Sequence, residues 1–268
     1  MVFGGVPYYL NLLDKRMSLF QNIDAMLFEP HGELYHEYEH LFESLFRNHN
    51  NHIRVIEALS KRNYGMLRTE LVEHSGVSNG EGLTKTLSEL EQCGFIRKYR
   101  NYVKREQSFY YQIIDPFILF SLKTKKDKSI DRWSAFITTP AYYSWRGNAF
   151  EIVCLNHVPQ IKGALGISGI SSAEYSWRSS CSDPQEQVDL VIDRKDDVIN
   201  ICEMKFSNEE FVISSDYKKE LFRKMEAFRL ETRTKKALFL TMVTLNGLKA
   251  NENSGMIQNL IDGDKLFT

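Results

Sequence analysis

The residues best suited to chemistry lie in QVDLVIDRKDDVINICEMKF, residues 187–206. Two runs rich in β-branched residues flank a polar turn, the pattern of a hairpin. If the turn centres on Asp196, Asp193 faces Ile199, Val191 faces Ile201, Asp189 faces Glu203 and Gln187 faces Lys205. Two carboxylates then stand opposite one another, about 5 Å apart at Cβ, and repel. Strand side chains alternate, so Lys205 shares the face of Glu203. A hard divalent cation, Mg²⁺ or Mn²⁺, would offset the repulsion, because such ions take carboxylate and water oxygens together with substrate phosphate. The chemistry expected of such a site is metal-assisted phosphodiester hydrolysis, with Lys205 near the attacking water. Glu151, on a preceding helix, is the candidate third carboxylate. The competing reading is a solvated hairpin face whose acids pair with Lys205 or Arg194. Val191, Ile199 and Ile201 share the face in question, which favours a half-buried cleft.

Other patterns imitate chemistry. His36-Glu37-Tyr38-Glu39-His40 is a literal H-E-x-x-H, the spacing by which zinc proteases place two histidines on one helical turn. Its apolar stripe, Leu34, Tyr38, Leu41 and Leu45, turns His36 and His40 towards solvent, and Phe46 stands where a metzincin has its third histidine. A solvated helix is expected there. Gly80-Glu81-Gly82-Leu83-Thr84-Lys85-Thr86 lacks the glycine before lysine that a phosphate-binding loop requires. No nucleotide site is expected in the chain.

The chain has 268 residues and a formal net charge of −1, which excludes a uniformly basic nucleic-acid coat. The charge is unevenly spread. Residues 1–84 carry 7 basic and 11 acidic side chains, and residues 85–132 carry 11 and 6. The four cysteines form no C-x-x-C, so neither a zinc knuckle nor a redox motif is expected. No apolar run approaches the length of a membrane span, and the first 13 residues lack the order of a signal peptide. A cytoplasmic protein with reduced thiols is expected.

Helical periodicity runs through Glu33–Phe46, then through Ile53, Ile56 and Leu59, Leu67, Leu71 and Val72, and Leu83, Leu87 and Leu90. Phe95–Tyr99 and Phe109–Ile114 read as strands, so three helices and a two-stranded ribbon form a winged helix-turn-helix pattern, stopped by Asp115-Pro116. Its recognition helix would present Thr84 and Lys85, and Arg97, Lys98, Arg100, Lys104 and Arg105 would flank the wing. These are the candidate nucleic-acid contacts, with protein docking as the alternative. Further on, Tyr142–His157 and Asp216–Glu231 read as helices. Glu174–Trp177, Gln187–Asp193, Val198–Phe206 and Ala237–Val243 read as strands. The αβββαβ order predicts an α/β layer, α+β over the whole chain. Tyr217, Leu221, Met225 and Phe228 form the stripe of the second helix, with Lys218, Lys219, Arg223 and Lys224 on or near its exposed side.

Asp189 followed by Glu203-Met204-Lys205, with Glu151 on a preceding helix, looks like the PD-(D/E)XK nuclease core of restriction enzymes and junction resolvases. More widely, FGGVPYYLNLL, LYHEYEHLFESLF, SELEQCGFIRK, YYQIIDPFILF, SWRGNAFE and QVDLVIDR…INICEMKF resemble the C-terminal half of the archaeal and bacterial DEXX-box AAA-type ATPases. The resemblance implies a helical lid remnant at 1–48, a winged helix at 49–116, a basic connector at 117–139 and a nuclease-like domain at 140–268. It implies DNA as partner, a P-loop ATPase domain as a second partner, and Mg²⁺ or Mn²⁺ at Asp189 and Glu203. Val188 replaces the motif's proline, and no P-loop is present. The expected function is DNA binding with Mg²⁺-dependent phosphodiester cleavage. The alternative is a non-catalytic nucleic-acid- or protein-binding module of such an ATPase.

Overall fold

In the computed structural model, which describes residues 1–102, 109–125, 130–183 and 185–268, the chain divides into two units. Met1–Lys98 and Tyr111–Ala149 form the first, and Tyr99–Tyr110 and Phe150–Thr268 the second. The architecture is α+β with one sheet of three strands and one of five. No helix among the described residues is long and apolar enough to cross a membrane.

The first unit opens with α1 (Pro7–Asn11) and α2 (Leu19–Leu27). Ser18 caps α2 in a reciprocal pair with Gln21, satisfying two otherwise orphaned amides. Next come α3 (Glu37–Leu45), α4 (Asn50–Leu59), β1 (Met66–Leu67), α5 (Arg68–Ser75), α6 (Glu81–Gln92), β2 (Ile96–Arg100) and β3 (Phe109–Ile113). The strand order is β1-β3-β2. Helix α3 starts later than its periodicity predicts. The chain at Gly32 turns back against α2, where Leu34 N–H donates to the Met26 carbonyl at 3.0 Å and a Cβ at Gly32 would lie 2.4 Å from the Ala25 oxygen. Leu34, Tyr38 and Phe42 form its buried stripe, while Leu45 is exposed.

The segment expected as a basic connector, 117–139, contains α7 (Pro116–Lys125) and α8 (Trp133–Phe136). Asp115-Pro116 stops one element and begins another: Asp115 Oδ1 accepts from the Ile118 amide at 2.7 Å, an N-cap with proline at the first helical position. Phe117, Ile118, Phe120 and Leu122 are buried, so α7 belongs to the core despite its lysines.

Helix α9 (Pro140–Asn156) runs across the boundary between the units. In the second unit α10 (Val158–Ala164) precedes β4 (Ser172–Arg178), β5 (Gln187–Arg194), β6 (Val198–Lys205), α11 (Ser215–Thr232), β7 (Ala237–Thr244) and β8 (Asn259–Ile261). The sheet order is β4-β5-β6-β7-β8. Strands β4 to β6 are an antiparallel meander, and α11 is the crossover that makes β7 parallel to β6. Asp197, in the left-handed region at φ 61°, closes the three-residue β5–β6 turn, as asparagine and aspartate can. The core of this layer joins Val191, Ile199 and Ile201 to Leu221 and Phe228 of α11 and to Leu238 and Leu240 of β7.

Candidate functional site

The β5–β6 register pairs Asp193 with Ile199, Val191 with Ile201 and Leu190 with Cys202. Asp189 and Glu203 lie immediately beyond the last of these pairs, where the two strands part. The neighbouring edge also loosens there: β4 and β5 shift register between Tyr175 and Trp177. The skipped Ser176 donates its hydroxyl to the Asp189 carbonyl at 2.8 Å. Bulges of this kind re-aim side chains beside functional sites.

Glu203 is buried, at 1% exposure. Its Oε1 accepts from Lys224 Nζ at 2.8 Å, and the Tyr217 hydroxyl lies 3.5 Å from its Oε2. Both partners come from α11, whose first turn Ser214 caps by accepting from the Tyr217 amide. Lys224 is therefore not on the exposed side of α11 but 6% exposed, inside the stripe between Leu221 and Phe228. Burial alone would pull its pKa down, but Glu203 outweighs that and the net shift is upward.

Asp189 is half-buried and accepts from Gln187 Nε2 at 3.2 Å. Burial, and then the adjacent Glu203 carboxylate, push its carboxyl up to about 6, against the pull of Lys224 and Lys205. Lys205 is half-buried, with Nζ 5.4 Å from the Tyr217 ring centroid, a cation–π distance. Burial and the same Glu203 charge raise the Tyr217 phenol.

Glu151 is half-buried on α9. The Cys154 thiol is raised by burial first, then by Glu151 and Asp189, so both acids act on one neighbourhood. Among the described residues no group of three or more His, Cys, Asp or Glu side chains is arranged to hold a metal. His36 and His40 are both exposed.

No protein-family model matches the chain, and no curated protein matches it in sequence.

Against the demands of Mg²⁺, which is commonly held by one or two carboxylates together with waters and substrate phosphate, the donor set fits as a two-carboxylate site. Burial and then the neighbouring Glu203 charge raise the Asp189 carboxyl, and among the described residues the hydrogen-bond partner of Glu203 Oε2 is the Tyr217 hydroxyl at 3.5 Å. The repulsion between the carboxylates does not by itself demand a metal, because Lys224 already supplies a cation on Glu203.

The candidate nucleic-acid contacts are more dispersed. Thr84 and Lys85 are on the exposed face of α6. The Thr84 hydroxyl donates to the Gly80 carbonyl at 3.1 Å and accepts from Arg68 at 3.0 Å. Lys85 Nζ is 3.8 Å from Glu89, whose other oxygen lies 2.9 Å from His52 Nε2. Arg97 donates to Gln112 at 2.7 Å. Lys98 is exposed, and the Arg100 guanidinium lies 4.7 Å from the Phe109 ring centroid. Lys104 and Arg105 lie outside the described residues. Within the second unit, Asn101 bridges to Ser176 and the Tyr102 ring stacks on Phe228 at 5.2 Å.

The stripe Tyr217, Leu221, Met225 and Phe228 does not by itself point to Lys224 as an interior residue. Its position three residues after Leu221 and four before Phe228 was the available signal, since those spacings share a helix face.

Proposed function

We propose that the second unit is a PD-(D/E)XK-type phosphodiesterase domain that holds Mg²⁺ or Mn²⁺ at Asp189 and Glu203. In this reading residues 49–116 act as a winged helix that contacts nucleic acid, most simply DNA, and the chain functions with a P-loop ATPase domain. The observation that carries the reading is the convergence of Asp189, Glu203 and Lys205 where β5 and β6 separate. The antiparallel meander followed by a helix and a parallel strand supports it as well.

When bound, the metal ion supplies Lewis acidity towards a phosphate oxygen and makes water a better nucleophile. The residues of the chain divide the remaining work. Asp189 and Glu203 offer the oxygen ligands. Lys205, held beside Tyr217, offers an ammonium to the attacking water or to the charge developing on the phosphate. Tyr217 and Lys224 fix the Glu203 carboxylate from the helix side. Thr84, Lys85, Arg97, Lys98 and Arg100 would supply sequence-independent phosphate contacts.

The Lys224–Glu203 pair favours a second reading, in which the fold survives as a non-catalytic nucleic-acid- or protein-binding module. Incubation with plasmid, single-stranded and branched DNA and with RNA, in Mg²⁺ or Mn²⁺, separates the two. Cleavage that is lost in Asp189→Ala and Lys205→Ala supports the phosphodiesterase. Absence of cleavage, or cleavage unchanged in both variants, removes it and leaves the binding module.

A further inference from the structure

We propose that Lys224 is a resident cation that sets how tightly the Asp189–Glu203 pair binds a divalent metal. This rests on reading the two carboxylates as metal-holding, and goes beyond it by assigning the control of affinity to a residue outside the motif.

The charged groups that act on Asp189 are Glu203, which raises its carboxyl, and Lys224 and Lys205, which oppose that rise. Two ammoniums therefore already stand beside the two carboxylates before any metal arrives. A buried site resists uncompensated charge of either sign, so a divalent ion entering there meets the resident ammoniums at close range. Lys205 is half-buried and can turn towards water. Lys224 cannot do so easily: it is 6% exposed, and its Nζ sits 2.8 Å from Glu203 Oε1. That oxygen is one of the few ligand positions the pair can offer. Metal binding through Glu203 must therefore share or displace the ammonium, which is carried on the buried face of α11 that also presents Leu221 and Phe228. Lys224 is a positioning residue in this scheme, acting on the metal through Glu203.

The sign of the effect distinguishes this role from simple structural support. A residue that only props up Glu203 would, when removed, leave metal affinity unchanged or weaker. A competing cation, when removed, leaves it stronger.

The test is Mn²⁺ affinity, measured by calorimetry or by the electron paramagnetic resonance of free Mn²⁺, for the wild type, Lys224→Gln and Lys224→Arg, with Asp189→Asn as the control for the site. The expected result is a Kd lower by about tenfold or more in Lys224→Gln, wild-type affinity in Lys224→Arg, and loss of binding in Asp189→Asn. A Kd in Lys224→Gln equal to or weaker than that of the wild type overturns the role of Lys224 while leaving the metal site standing. Binding by neither protein overturns both.

Because Lys224→Gln leaves a buried carboxylate unpaired and can unfold the unit, a second measurement uses the unaltered protein. The ammonium resonance of Lys224 is followed by nitrogen-15 NMR during a Mg²⁺ titration. It should shift or broaden along the metal-binding curve, and a signal unmoved at saturating Mg²⁺ overturns the proposal.

Discussion

The charged residues at the parting of β5 and β6 and those around α6 and β2 carry similar side-chain types but live under different physics. In the second unit Glu203 and Lys224 are buried at 1% and 6% exposure and joined at 2.8 Å. In the first, Lys85 faces solvent and meets Glu89 only at 3.8 Å, with 76% of its side chain exposed. A buried charge must be paired, whereas an exposed one is solvated whether it is paired or not. The β5–β6 region therefore holds a buried geometry in which each group alters its neighbour. The α6–β2 region offers charge that is largely exposed, the kind that would suit phosphate contacts that position a polymer rather than read it.

The largest break in this comparison is Lys224→Met. Removing one partner of a buried ion pair costs about 3–5 kcal/mol, so urea denaturation should show the unfolding of the second unit shifted by that order. Lys85→Ala should stay within about 0.5 kcal/mol of the wild type. The double variant Lys224→Met/Glu203→Leu should recover most of the loss, because an apolar pair of similar volume needs no compensation. If Lys224→Met proved as mild as Lys85→Ala, the two regions would not differ as argued.

Next in size is Asp189→Asn, and its effect depends on pH. The native carboxyl is raised to about 6, above its ordinary range. The folded state thus binds the proton more tightly than the unfolded chain does, and stability falls as pH rises between about 4 and about 6. Below that window the protonated acid and the amide are nearly equivalent. Above it the wild type carries the full penalty, about 3 kcal/mol at 1.36 kcal/mol per pKa unit. Thermal melts without metal should show Asp189→Asn and wild type together near pH 4, and the variant more stable above about pH 6. Saturating Mg²⁺ should narrow the gap from the wild-type side, since a ligand bound only by the native state stabilises it. A gap that does not change with pH would remove the account of Asp189 as an acid raised by burial and by Glu203.

What the sequence made legible follows the same division. The β5–β6 register was readable because the period-2 pattern on both strands and a short polar turn leave one alignment that buries Val191, Ile199 and Ile201 together. That alignment carried Asp189, Glu203 and Lys205 to one place. Lys224 was not readable as a partner, because lysine on a helix is ordinarily a solvated residue and only the tertiary contact with Glu203 makes it interior. Helix α7 was obscured for a related reason: Lys123 and Lys125 suggested a connector, while Phe117, Ile118 and Phe120 are what bury it. The short strands β1 and β8, of two and three residues, carry too little pattern to announce themselves.

The smallest expected effects belong to the first unit's basic residues, and they should differ in kind as well as size. If Lys85 and Lys98 meet phosphates, changing either to alanine should weaken binding to a DNA duplex about equally for every sequence. The slope of log affinity against log salt should become shallower by about one for each. Arg97 should behave otherwise, because its guanidinium is held by Gln112 at 2.7 Å. Arg97→Ala should lower stability by about 1 kcal/mol through the lost hydrogen bond to a buried amide, with a smaller change in salt slope. Fluorescence anisotropy across a salt series, paired with melts of the same proteins, reads both quantities. Equal slopes for wild type, Lys85→Ala and Lys98→Ala would take the nucleic-acid role away from this surface and leave docking of another protein as the use for its exposed polar face.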